Sequence, residues 1–140
     1  MAAARYWRLH GVATWGGDLQ LSELQLHDAS GRADASASLS CSHAPVNGSL
    51  SDLQDGSTAA LCRFAAADVR SSGFWLQWDL GPGGDKDIAS VRIGSGTSKD
   101  AFVESVTVAS SATGVVWDTA FTLGGIKYVG PLEMTLAKVA

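Results

Sequence analysis

The 140-residue chain has few charged residues, at 17% Asp, Glu, Lys and Arg, and no block of like charge. Ten Lys and Arg against fourteen Asp and Glu leave a net charge of −4. Neither the balance nor any local Lys/Arg run supplies the basic footprint that nucleic-acid binding needs, so DNA and RNA are excluded as partners. No apolar run approaches the ~20 residues of a membrane span, and the first residues lack the apolar stretch of a secretory leader. The expectation is a chain that neither inserts into a membrane nor is exported by that route.

Cysteine is scarce. Cys41 and Cys62 are the two present, and a bridge between them would close a loop of about 20 residues, worth roughly 3 kcal/mol in the chain-entropy picture. Without an export signal two buried thiols are the expectation. No C-x-x-C occurs, and His10, His27 and His43 are scattered, which excludes a zinc site by spacing. Also missing are G-x-S-x-G, H-E-x-x-H and G-x-x-x-x-G-K-[ST], and Gly94-Ser95-Gly96 lacks the rest of a dinucleotide fingerprint. Glu23, Glu104 and Glu133 are the three glutamates, none with an evident carboxylate partner for glycoside hydrolysis. A non-catalytic protein is expected.

What the chain does have is 16 glycines, much serine and alanine, and 46% hydrophobic residues, enough at this length for one domain with a full core. Arg5 to His10 alternates, with Trp7 and Leu9 on one face and Arg8 and His10 on the other. From Leu19 to Leu26 the apolar face changes at Ser22-Glu23, which predicts a bulge or bend and a carboxylate turned toward something other than water. Asp28 to Asp55 has little periodicity and reads as loop-rich surface. Leu61 to Phe64 reads as a short strand or turn, Ala65 to Val69 as one helical turn at most, and Phe74 to Leu80 as a strand closed by Gly81-Pro82-Gly83-Gly84. Ile88 to Ile93 places Ala89, Val91 and Ile93 inward, and Phe102 to Ser110 places Val106 and Val108 together. Short strands between glycine-rich turns predict an all-β fold, an antiparallel β-sandwich of jelly-roll type.

Taken in order, several pieces resemble the discoidin, or coagulation-factor 5/8 type C, family with its galactose-binding-like sandwich. Arg5-Tyr6-Trp7-Arg8-Leu9 and Leu21-Ser22-Glu23-Leu24-Gln25-Leu26 look like the strands that close that domain, and here they open it. Asp55-Gly56-Ser57-Thr58 resembles its opening turn, and Trp75-Leu76-Gln77-Trp78-Asp79-Leu80-Gly81 its central strand. The order is that of a circularly permuted member, similar to modules of bacteriophage tail and tail-fibre proteins. The likeness runs from Arg5 to Leu123, and departs at Thr58-Ala59-Ala60-Leu61-Cys62, where the family's core tryptophan is absent. It implies a sandwich over residues 4–125; the tail 126–140, apolar at Ile126, Tyr128, Leu132, Met134 and Leu136, reads by itself as a terminal strand or a linker to a further domain.

The resemblance further implies a structural cation, calcium, held by the side chains of Glu23 and Asp55 and by backbone carbonyls from about Gln54 to Thr58. The alternative is an ordinary Asp-Gly turn beside an exposed or arginine-paired glutamate. Asp85-Lys86-Asp87 reads as a solvated turn. Sugar recognition needs aromatic faces and bridging polar groups. The ligand-site candidates are Trp15 in its Gly16-Gly17-Asp18 loop, His10, His43, Asn47, Arg63 and Arg70, with packing of Trp15 onto its own loop or an oligomer contact as the alternative. Trp7, Trp75, Trp78 and Trp117 are expected in the core or on a sheet face. Arg8 is expected to brace the sandwich, and His27 to be surface. The implied partner is a carbohydrate or cell-surface glycan, and the implied setting a virion, where a homo-oligomer or larger fibre repeats a weak site. The alternative is a structural or protein-docking module without a sugar ligand.

Overall fold

A computed structural model describes residues 3–138, and side chains as far as residue 133. The chain is an all-β sandwich of two antiparallel sheets. The strands are β1 (Tyr6–Thr14), β2 (Leu19–Asp28), β3 (Gly31–Arg32), β4 (Ser38–Cys41), β5 (Cys62–Phe64), β6 (Trp75–Asp79), β7 (Ser90–Ser95), β8 (Val103–Ser111), β9 (Asp118–Leu123) and β10 (Met134–Lys138). One sheet runs β4-β6-β1-β8-β9. The other runs β10-β7-β2-β3, with β5 pairing the opposite end of β2 from β3. Residues 139 and 140 of the expected terminal strand or linker lie outside the described residues. Among the described residues no helix is long and apolar enough to cross a membrane.

Strand β1 lies at the centre of its sheet, with Trp7 opposite Trp78 and Leu9 opposite Leu76 on β6, and Leu9 opposite Val108 on β8. Period-two alternation therefore sends Trp7, Leu9, Leu76, Trp78, Val106 and Val108 into one core. There they join Leu24, Leu26, Val91 and Ile93 from the facing sheet. Both fully buried tryptophans keep a partner for the indole N–H: Trp7 donates to the Ala4 carbonyl (3.0 Å) and Trp78 to Asp34 Oδ2 (3.1 Å).

The bulge expected at Ser22-Glu23 is present. Register between β2 and β7 shifts between Leu21, opposite Ser95, and Glu23, opposite Gly94. Residues Leu21 to Leu24 are consequently all buried. Gly94 is required there, because a Cβ would stand 2.5 Å from Ser22 Oγ and 2.7 Å from the Glu23 nitrogen.

Two expectations need correction. The stretch from Asp28 to Asp55 is not all loop: β4 covers the outer edge of β6, and a 3-10 turn at Leu50–Leu53 buries Leu53. A serine-rich edge strand has too little apolar pattern to stand out in sequence. Ala89 is exposed and Ile88 is buried in its place, because β7 starts only at Ser90 and the preceding residues follow the end of β2, where the Ala89 N–H donates to the His27 carbonyl. The single helical turn is α1 (Ala66–Val69). Cys41 and Cys62 are free thiols, and burial pushes Cys62 up to about 12.

Asp34 is fully buried, accepting from Trp78 at Oδ2 and from Arg32 Nε at Oδ1 (3.1 Å). Replacing it with alanine leaves the buried Trp78 indole N–H without its acceptor and takes from Arg32 its closest carboxylate. Asp34→Ala is expected to cost about 3 kcal/mol in urea unfolding, against less than about 0.5 kcal/mol for Ser36→Ala in the same connection; near-equal losses would refute this role for Asp34.

Candidate functional site

The outer face of the first sheet carries the residues that alternate with its core. Arg8 lies opposite Gln77 and His10 opposite Trp75 across the β1–β6 pairing, so the four side chains form one patch. Arg8 Nε and Nη2 both donate to Gln77 Oε1, at 3.1 and 2.6 Å. The guanidinium carbon stands 4.5 Å from the ring centroid of Trp75 and 4.1 Å from that of Trp117. Trp117 arrives at the end of the β8–β9 connection, which Ser111 and Thr113 shape: Ser111 Oγ accepts the Thr113 and Gly114 N–H groups, and Thr113 Oγ1 those of Val115 and Val116. That connection leaves Val115 and Val116 81% and 70% exposed and seats the tryptophan beside Arg8.

Arg8, Trp75 and Trp117 line an open cavity of about 380 Å³ together with His10, Ser72, Gly73 and Phe74. Burial lowers the pKa of Arg8, and among the described residues no carboxylate pairs with it. The site therefore offers two indole walls, an imidazole, a hydroxyl and a guanidinium edge. Such a surface is suited to holding a small polar ring, since apolar walls take C–H faces while few polar groups set orientation.

Of the ligand candidates named from sequence, His10 lines this cavity. His43 packs against Phe74, ring centroids 5.9 Å apart, with Nδ1 2.8 Å from Ser42 Oγ. The others stand around a second locus, the Trp15 loop. Trp15 is 38% exposed and Lys99 Nζ covers its ring at 4.8 Å from the centroid. Arg70 donates to the Gly16 carbonyl (3.0 Å), and Arg63 pairs with Asp18 (3.3 Å). Asn47, with its amide in the orientation that satisfies both ends, accepts from Arg63 Nη2 at 2.9 Å. The structure thus commits Arg63 and Arg70 to their own loops. Arg8, Trp75, Gln77 and Trp117 went unassigned as ligand residues in sequence, although the alternation of Arg8 with His10 on one face was a usable signal.

The expected calcium site has a different occupant. Glu23 is 1% exposed, and its Oε2 accepts from the Gly56 N–H and from Gln25 Nε2, each at 2.9 Å. Arg32 Nη2 reaches the Gln54 carbonyl at 3.0 Å and stands 3.8 Å from the same Glu23 Oε2. Asp55 is exposed, and its Oδ1 accepts from the Ser57 N–H at 2.9 Å. A guanidinium therefore already serves oxygens that a cation would need, and a hard divalent ion wants roughly six to eight. Among the described residues no group of three or more His, Cys, Asp or Glu could hold a metal. The residues present do not fit a calcium ion.

Glu23 Oε1 is buried without a hydrogen-bond partner among the described residues. Burial pushes the Glu23 carboxyl above the usual carboxylate range; Gln25, Gly56 and Arg32 oppose the rise and Asp55 adds to it.

No family model, curated protein or solved structure matches the chain.

Two outcomes follow from this geometry. Added chelator or millimolar calcium is expected to leave the thermal midpoint unchanged, whereas a calcium-dependent rise would restore the cation site. For Glu23, the raised pKa means that the folded state holds a proton the unfolded state releases. Its stabilising contribution is full below about pH 4 and fades as pH rises through the folded pKa. The midpoint of Glu23→Gln relative to wild type should accordingly climb across that window; a difference that falls with rising pH would indicate a depressed pKa instead.

Proposed function

We propose that this chain is a non-catalytic carbohydrate-binding module whose ligand enters the Arg8–Trp75–Trp117 cavity. The observation that carries the reading is the pair of half-buried tryptophans whose rings stand 4.5 and 4.1 Å from one guanidinium on a solvent-facing sheet, beside His10 and Ser72. Indole faces stack on the apolar face of a pyranose, and a guanidinium edge bridges adjacent hydroxyls. The motif order that resembles permuted discoidin-like modules supports a sugar ligand from a separate direction. It also supports placement in a phage tail or a comparable surface assembly, where the virion repeats a weak site.

One cavity of about 380 Å³ is small for a glycan chain and suits a terminal residue. Affinity would then come from copies acting together rather than from one contact surface. A second reading has its own observation: exposed Val115 and Val116 at the β8–β9 tip favour contact with another protein, as in a structural docking module.

A glycan array probed with the multimerised domain separates the two. The expected result is a restricted set of positives that Trp117→Ala reduces at least about tenfold, as loss of a stacking face should, with the thermal midpoint little changed. Silence across bacterial polysaccharides from a folded multimer would leave the docking reading in its place.

A further inference from the structure

Four arginines have a partner assigned by the fold. Arg5 is paired with Asp79 at 2.7 Å, Arg32 with Asp34 at 3.1 Å, and Arg63 with Asp18 at 3.3 Å, while exposed Arg70 holds the Gly16 carbonyl. Arg8 is half-buried, and its side-chain hydrogen bonds go to one neutral acceptor, Gln77 Oε1. Two of its N–H groups are used there. The others meet no acceptor among the described residues, and the lining of the cavity contains no carboxylate.

The Trp75 and Trp117 rings pack on the guanidinium, its carbon 4.5 and 4.1 Å from their centroids, and Gln77 takes one edge. The side chain is therefore oriented before any ligand arrives, and what remains available is donor edge. A planar donor fork matches a carboxylate, which accepts two parallel N–H bonds. Water exclusion by flanking rings strengthens such a bond, and a fixed side chain loses little entropy on forming it. We infer that the cavity selects a pyranose bearing a carboxylate, such as a uronic acid, with Arg8, held by the two indoles, as the carboxylate receptor. This rests on the carbohydrate reading above and adds the charge class of the sugar.

The test compares matched methyl glycosides that differ in one group: glucuronide against glucoside and galacturonide against galactoside, with glucose 6-sulfate and acetate as further probes. Binding to the full chain is followed by NMR through the indole N–H resonances, with Trp117→Phe to assign the Trp117 signal. At least one uronide is expected to bind about tenfold or more tightly than its neutral twin. The preference should shrink between about 20 mM and about 500 mM salt. It should vanish in Arg8→Gln and survive in part in Arg8→Lys, which keeps a charge but not the fork.

Equal affinity for the acidic and neutral twins would overturn the inference while leaving a sugar site in place. Acetate perturbing the same indoles at the same concentrations as the uronides would overturn it by removing the sugar. Tighter binding of the sulfate than of either uronide would overturn the choice of carboxylate. Failure of every glycoside, together with a silent array, would remove the carbohydrate reading itself. Should Arg8→Gln not fold, the wild-type comparison of twins and its salt dependence decide alone.

Discussion

The alternation of side chains along β1 is the constraint on which the rest of the structure depends. This strand has a neighbour on each side, so its register is fixed twice, against Trp78 and Leu76 of β6 and against Val108 of β8. A slip of one residue would exchange Trp7 for Arg8 in the core, replacing the largest buried side chain with a charge. Because that slip is so costly, the outer face inherits the same precision. Arg8 meets Gln77, and His10 meets Trp75, as a consequence of core packing rather than of any contact they make themselves.

The long connection between β2 and β5 is held by a different means. It carries few apolar anchors, Leu53 being the fully buried one. Its attachment is polar instead, running from Trp78 through Asp34 and Arg32 to the Gln54 carbonyl, with Glu23 alongside. Buried charges repay their desolvation only when well bonded, and a network of this kind is better understood as fixing one path for the chain than as adding net stability. An internal guanidinium also does without solution chemistry. A loop tied by a bound ion responds to the ion's concentration; a loop tied by Arg32 does not.

Much of the fold was legible in the sequence. The alternation of Arg5 to His10, the change of face at Ser22-Glu23 and the isolated helical turn at Ala66–Val69 are local signals, and local periodicity is what a single sequence carries. Strand β4 was not legible, since Ser38 to Cys41 gains its conformation from pairing with β6 rather than from its own residues. The same reason hid the candidate site. Arg8, Trp75 and Trp117 are each unremarkable as strand or turn residues, and they converge only through pairing of strands far apart in sequence and the connection from β8 to β9. Arg32 was hidden likewise, in a stretch of Ser, Ala and Gly without period. Glu23 could be recognised as turned inward, but not what it would meet there.

The placement of the aromatic residues changes which part of the sandwich is suited to a ligand. Trp15, beside two glycines, has the sequence context of a loop contact, yet Lys99 already covers one of its faces and its loop is tied back by Arg70 and by the Gly17 N–H to the Asp100 carbonyl. Trp75 stands against a guanidinium on strand β6, and Trp117 does so at the end of a connection whose N–H groups Ser111 and Thr113 hold. A site on rigid elements loses less conformational freedom on binding than one on a loop, so a small contact area retains more of its interaction energy. For a cavity that holds one ring rather than a chain, that saving is a larger share of the total. On the proposed reading the outer sheet face is therefore where this sandwich would meet a ligand, and the end loops are where its chain connections are secured.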